Sequence, residues 1–146
     1  MIKMNNIIRK IIKVILLLHI VCVLSACLAL TSQEKKYYYD EDNFISAIGT
    51  VTHIKYNDEQ TALFLGFSEL TPQFEDNCFK IVGDNLPIVQ ENGIDEKIQL
   101  GDQVEFITAP KYFGDGYTMP IVSISVDGEE LLSYEEGYAN FLEWLY

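Results

Sequence analysis

"FISAIGTVTHIKY", residues 44–56, is the stretch on which the fold turns. It is rich in β-branched and aromatic side chains, which fit a pleated, half-buried surface. Gly49 sits inside it, at a place where a bulge would re-aim the strand. Working outward, "YNDEQ" at 56–60 supplies turn residues, and "TALFLGF" at 61–67 reads as a second strand with its own interior glycine, Gly66. A polar link containing Pro72 leads to a third strand, "CFKIVG", at 78–83. "DNLPIVQENG" then holds a short helix over 86–92 that ends at Gly93. "LGDQVEFITAP" gives a turn and a fourth strand in which Val104, Phe106 and Thr108 share one face. "YFGDGYTMP" is a loop, and "IVSISV" is the last strand, closed by the turn Asp127-Gly128.

The chain ends in a helix. Ser133 followed by Glu136 is a capping-box pattern. Tyr134, Tyr138, Phe141 and Leu145 recur at helical spacing, which predicts a stripe packed on the sheet. Gly137 within it costs the helix about 1 kcal/mol relative to alanine.

The expected fold class is therefore mainly β: a small five-stranded barrel with a short helix between the third and fourth strands and a C-terminal amphipathic helix. This arrangement resembles an OB-fold barrel over residues 44–126, the suggestive run being Leu100-Gly101-Asp102-Gln103-Val104-Glu105-Phe106, a turn feeding a strand. An SH3-like barrel is the alternative that five strands at this spacing leave open.

The first 26 residues differ in kind. Lys3, Arg9, Lys10 and Lys13 lie there, four of the ten basic residues, with no acid among them. An apolar run of 17 residues, 14–30, follows the basic leader, at the lower edge of what spans a bilayer core. It ends in Leu24-Ser25-Ala26-Cys27. That ending resembles the lipobox of bacterial lipoprotein signal peptides, in which a branched apolar residue and two small ones precede a cysteine. The resemblance implies lipidation of Cys27, cleavage between Ala26 and Cys27, and anchoring by two acyl chains, which hold stably where one would not. His19 interrupts the apolar run, and Cys22 lacks small residues before it. The organisation that follows is a signal peptide over 1–26, a lipid-anchored tether over 27–43 and a barrel domain over 44–146. The location implied is outside the cytoplasm, on the outer face of the bacterial cytoplasmic membrane, with the outer membrane as an alternative. An uncleaved signal anchor is the other reading of this segment.

With the leader removed, six basic residues face all 22 acidic ones. Summed charge of that sign speaks against nucleic acid, whose phosphates need a basic surface. The expected partners are the membrane, through the lipid, and an envelope protein, peptide or glycan, with no nucleic acid.

Signs of catalysis are few. His53 and Cys78 are the one nucleophile–base combination available for covalent chemistry. A structural histidine and a small buried thiol are the plainer readings of both. The carboxylate runs Asp40-Glu41-Asp42 and Glu129-Glu130 lack the alternating ligands and sixth-position glycine of a calcium loop. Neither a metal nor another cofactor is expected. The best candidate surface is the loop aromatics Tyr112, Phe113 and Tyr117, set around glycines where they would stack on a sugar or grip a peptide. Otherwise they fold back over the barrel end. The functional expectation is a lipid-anchored, non-enzymatic binding module. An envelope thiol enzyme or redox protein using Cys78 and His53, and a signal-anchored structural membrane protein, are the alternatives.

Overall fold

The computed structural model describes residues 12–22, 35–113 and 116–145. The chain divides into two compact units, Met1–Tyr37 and Tyr38–Tyr146. In the first, residues 12–22 are helical with exposed apolar side chains. Among the described residues no helix is long and apolar enough to cross a membrane. The tetrapeptide Leu24-Ser25-Ala26-Cys27 lies outside the described residues.

The second unit is mainly β. Its elements are β1 (Ile45–Tyr56), β2 (Ala62–Thr71), β3 (Cys78–Val82), α1 (Asn85–Glu91), α2 (Ile94–Lys97), β4 (Gln103–Thr108), β5 (Met119–Val126), β6 (Glu129–Leu132) and α3 (Tyr134–Trp144). The strands run in the order β3-β2-β1-β4-β5-β6, and a parallel contact of β3 with β5 turns the sheet back on itself. That contact is short, Phe79 opposite Met119 and Lys80 opposite Pro120, so the ring is only partly closed. A five-strand ring with helices inserted between β3 and β4 is the expected OB-like arrangement. The parallel pairing favours it over an SH3-like succession of antiparallel strands.

Strand β1 works as predicted from its glycine. Ala47, Gly49 and Val51 face inward while Ser46 and Ile48 face out, and the β1–β2 register shifts between Ile48 and Thr50. A Cβ on Gly49 would stand 2.9 Å from both Phe67 Cβ and Leu70 Cδ2. The bend therefore brings backbone against side chains where only glycine fits. Inside the ring, Phe67, Phe79 and Phe106 form one cluster with centroids 4.6–5.4 Å apart. Val104, Phe106 and Thr108 are buried along β4, as their alternation requires.

Three differences from the sequence reading have physical causes. A sixth strand exists. Asp127 and Gly128 both have positive φ (51° and 78°), the geometry of a two-residue hairpin turn, so the chain returns along β5 as β6. Leu131 and Leu132 bury themselves there, while Glu129 pairs with Lys97 at 2.6 Å. Next, α1 ends before Gly93 (φ 81°) as expected, but a second short helix, α2, follows it directly, and its Ile94 enters the core. Finally, the compact unit begins at Tyr38, ahead of the expected boundary at Phe44. Tyr38 is fully buried, edge-on to Phe141 at 5.2 Å. Its hydroxyl lies 2.8 Å from the carbonyl oxygen of Lys111 and 3.0 Å from that of Tyr112, and donates to that pair.

Helix α3 begins where the capping pattern places it, with Ser133 Oγ accepting from Glu136 N–H at 3.4 Å. Phe141 is buried, and Tyr134 and Tyr138 pack around Phe44. Burial and the nearby carboxylate of Glu41 push the Tyr134 phenol up to about 12. At the helix's middle, buried Asn85 donates to the carbonyl of Gly137 at 2.8 Å and accepts from Asn140 at 3.1 Å. The amide thereby ties the start of α1 to α3. The carboxylate run Asp40-Glu41-Asp42 forms a 3-10 turn in which Asp40 Oδ1 accepts from the Asp42 N–H.

Candidate functional site

In OB-like rings ligands commonly meet the outer face of the second and third strands. Strand register decides what stands there. Lys55, Phe64 and Lys80 lie directly opposite one another across β1, β2 and β3. The neighbouring row on the same face is His53, Gly66 and Cys78. Because β2 carries glycine at that point, His53 and Cys78 face each other over bare backbone, two strand spacings or about 9.6 Å apart. Cys78 is half-exposed, so it is not the buried small hydrophobe its apolar surroundings predict.

Lys80 is the unusual member. Its side chain is 7% exposed, and its ammonium sits 5.5 Å from the Phe64 centroid and 4.8 Å from the Phe113 centroid. Both rings turn their negative faces to the charge, which offsets part of its desolvation. Lys55 and His53 are exposed beside it. A cavity of about 400 Å³ opens here, lined by His53, Lys55, Tyr56, Asp58, Phe64 and Cys78 among others. Asn57 holds the rim in shape, its Oδ1 accepting from the N–H groups of Thr61 (2.7 Å) and Ala62 (2.9 Å). Tyr56 donates to Asp95 at 2.7 Å, and burial first, then that bond, raises its phenol above the ordinary range.

The three loop aromatics do not share a surface. Phe113 is fully buried, packed edge-on against Phe141 (5.2 Å) and Trp144 (5.4 Å) and under Lys80. Tyr112 is half-buried and donates its hydroxyl to Asp76, which with desolvation raises its phenol. Tyr117 is 78% exposed. Gly114 and Asp115 lie outside the described residues.

Sequence reading passed over Lys55, Phe64 and Lys80. A signal was present: "CFKIV" places a lysine at the outward position of an otherwise apolar strand. What was missing was the register that sets a second lysine and a ring beside it.

No protein-family model matches the chain, and no curated protein matches it. Among solved structures, the chain is similar to the mitochondrial single-stranded DNA binding protein Rim1 from S. cerevisiae. The identity is 19% and the TM-score 0.36, covering 57% of this chain and 94% of that one. The expectation that excluded nucleic acid is corrected on this finding. Its physical weakness is that it used summed charge, whereas a ligand meets one face. Two of the four lysines between residues 38 and 146 flank Phe64 on the outer face of β1–β3. The cavity there is lined by Lys55 and His53 with one carboxylate, Asp58, so the charge summed over the whole chain does not describe it.

Proposed function

We propose that the protein is a lipid-anchored, non-enzymatic binding module. Cys27 holds it at the outer face of the bacterial cytoplasmic membrane, and the outer face of β1–β3 takes an anionic chain. The anchor is supported by the order of basic leader, apolar run and Leu24-Ser25-Ala26-Cys27. The binding role is carried by one observation, the row Lys55–Phe64–Lys80 across three strands of an otherwise acidic domain. Phe64 offers an apolar platform with the exposed Lys55 at its side and the Lys80 ammonium buried against the ring, suited to a ligand that alternates flat and anionic groups.

Each half has its own test. Metabolic palmitate labelling is expected in the full-length chain and absent in Cys27→Ala; label that persists in the variant defeats the anchor. For the face, fluorescence anisotropy with labelled oligothymidylate and with polyglutamate is the measurement. Binding to at least one is expected, and which one names the anion. A plot of log affinity against log salt should slope between about −0.7 and −1.4 for oligothymidylate, one to two cations at about −0.7 each. Lys55→Glu should weaken binding about tenfold, since it reverses one of those charges. Failure of both probes, or a Lys55→Glu variant that binds as well as the parent, refutes the assignment.

A further inference from the structure

A second concavity lies at another place on the ring, between the β2–β3 loop (72–77) and the β4–β5 loop (109–118). It encloses about 540 Å³, within the range of small-molecule sites. Pro72 and Phe74 stand on one loop and Pro110 and Tyr112 on the other, with buried Met119 also lining it. The interior is thus mostly apolar. Glu75 and Asp76, both exposed, also line it.

Two features give this groove a chemical preference. Tyr112 donates its hydroxyl to Asp76, so a carboxylate from one loop is held beside the aromatic ring of the other. Phe74 is fixed from behind, edge-on to Phe79 at 5.4 Å, which leaves its position set by the core and not by the loop alone. Aromatic faces on both loops with carboxylates beside them attract a positive charge, through the ring quadrupoles and through Coulomb attraction. Lys111 also lines the groove, so the two carboxylates exceed the fixed positive charge by one. An incoming cation would balance that excess.

We propose that this groove binds a small organic ammonium ion, a cationic head on an apolar body. The body would lie against Pro72 and Pro110, and the head against Phe74, Tyr112 and Asp76. This goes beyond the module proposed above: it concerns a different surface and the opposite ligand charge, so either assignment can fail alone.

The test uses the full-length chain and ¹H–¹⁵N NMR titration. Choline is the cationic probe and 3,3-dimethylbutan-1-ol its neutral isostere. Choline should shift the amides of residues 72–77 and 110–112, and the neutral isostere should bind at least about tenfold more weakly, the discrimination expected of a charge held by rings and a carboxylate. Asp76→Asn should lose about tenfold in choline affinity while its spectrum elsewhere stays that of the parent. Phe74→Leu, which keeps apolar volume and removes the ring face, should also weaken choline without altering the isostere. Equal binding of both probes would make the groove merely apolar and overturn the proposal. So would the absence of choline shifts, or shifts seen only with a lysine-containing peptide.

Discussion

Gly137→Ala is expected to destabilise the domain strongly, against the direction that helix propensity sets. Alanine is favoured over glycine inside a helix by about 1 kcal/mol. Yet a Cβ on Gly137 would stand 2.0 Å from the carbonyl oxygen of Val122 and 2.9 Å from its carbonyl carbon. The obstacle is the backbone of β5, in the sheet, and no rotamer change relieves it. Helix α3 must lift, and with it go the seat of Phe141 and the bond from Asn85 to the Gly137 carbonyl. A loss of about 3 kcal/mol is expected, the upper part of the range for overpacking. In thermal unfolding that is a fall of roughly 10–20 °C for a domain of this size. Unchanged or raised stability in urea titration would mean that α3 does not press on β5 here.

The second large effect concerns Tyr38, which the sequence places in a tether. Tyr38→Ala is expected to cost about 3–5 kcal/mol, as for other buried aromatic truncations. The ring packs against Phe141 and Phe44, and its own carbonyl accepts from the Tyr138 hydroxyl at 3.0 Å. Tyr38→Phe separates the terms, because it keeps the ring and removes the donor shared by the Lys111 and Tyr112 carbonyls. About 1–2 kcal/mol should be lost there. A Tyr38→Ala variant within 0.5 kcal/mol or so of the parent, the ordinary span for surface changes, would return residues 38–43 to a tether.

How much could be read beforehand follows from where the information sits. Strand positions came from local alternation, and that is why β1 to β5 and the start of α3 were legible. The hydroxyl of Ser133 and the N–H of Glu136 are three residues apart, and their pairing needs no knowledge of the fold. Tyr38 is different. In sequence it follows lysines and precedes an acidic run, and its burial is decided by contacts with residues more than 70 positions away. The strand β6 was hidden for a related reason: Glu129-Glu130 reads as a solvated run until the turn at Asp127-Gly128 brings the next two leucines inward. Gly137 shows the limit most sharply. Its helical cost was visible, but the carbonyl of Val122 that makes it necessary belongs to another element.

The same limit applied to the candidate surfaces. Tyr112, Phe113 and Tyr117 looked alike as loop aromatics, yet the fold sends one into the core, ties one to Asp76 and leaves one in solvent. Lys55 and Lys80 are 25 positions apart in sequence and become neighbours of one ring through two registers.

The edge of β5 carries a last consequence. Along one side it meets β4; along the other its first residues meet β3 and its last three meet β6. Between them these two partners cover much of the edge where the ring fails to close. The seam that an open barrel offers to a neighbour's strand is therefore largely covered from within. The strand left outermost, β6, is only four residues long and carries Glu129, paired with Lys97, and Glu130, a short charged edge that discourages pairing with an identical one. Molecules tethered to one membrane, as proposed for this chain, meet at high surface density and with their mobility confined to a plane. Under that proposal a largely self-sealed border with a short, charged outer strand would keep neighbours separate, so that crowding would raise the number of available faces without zipping them together.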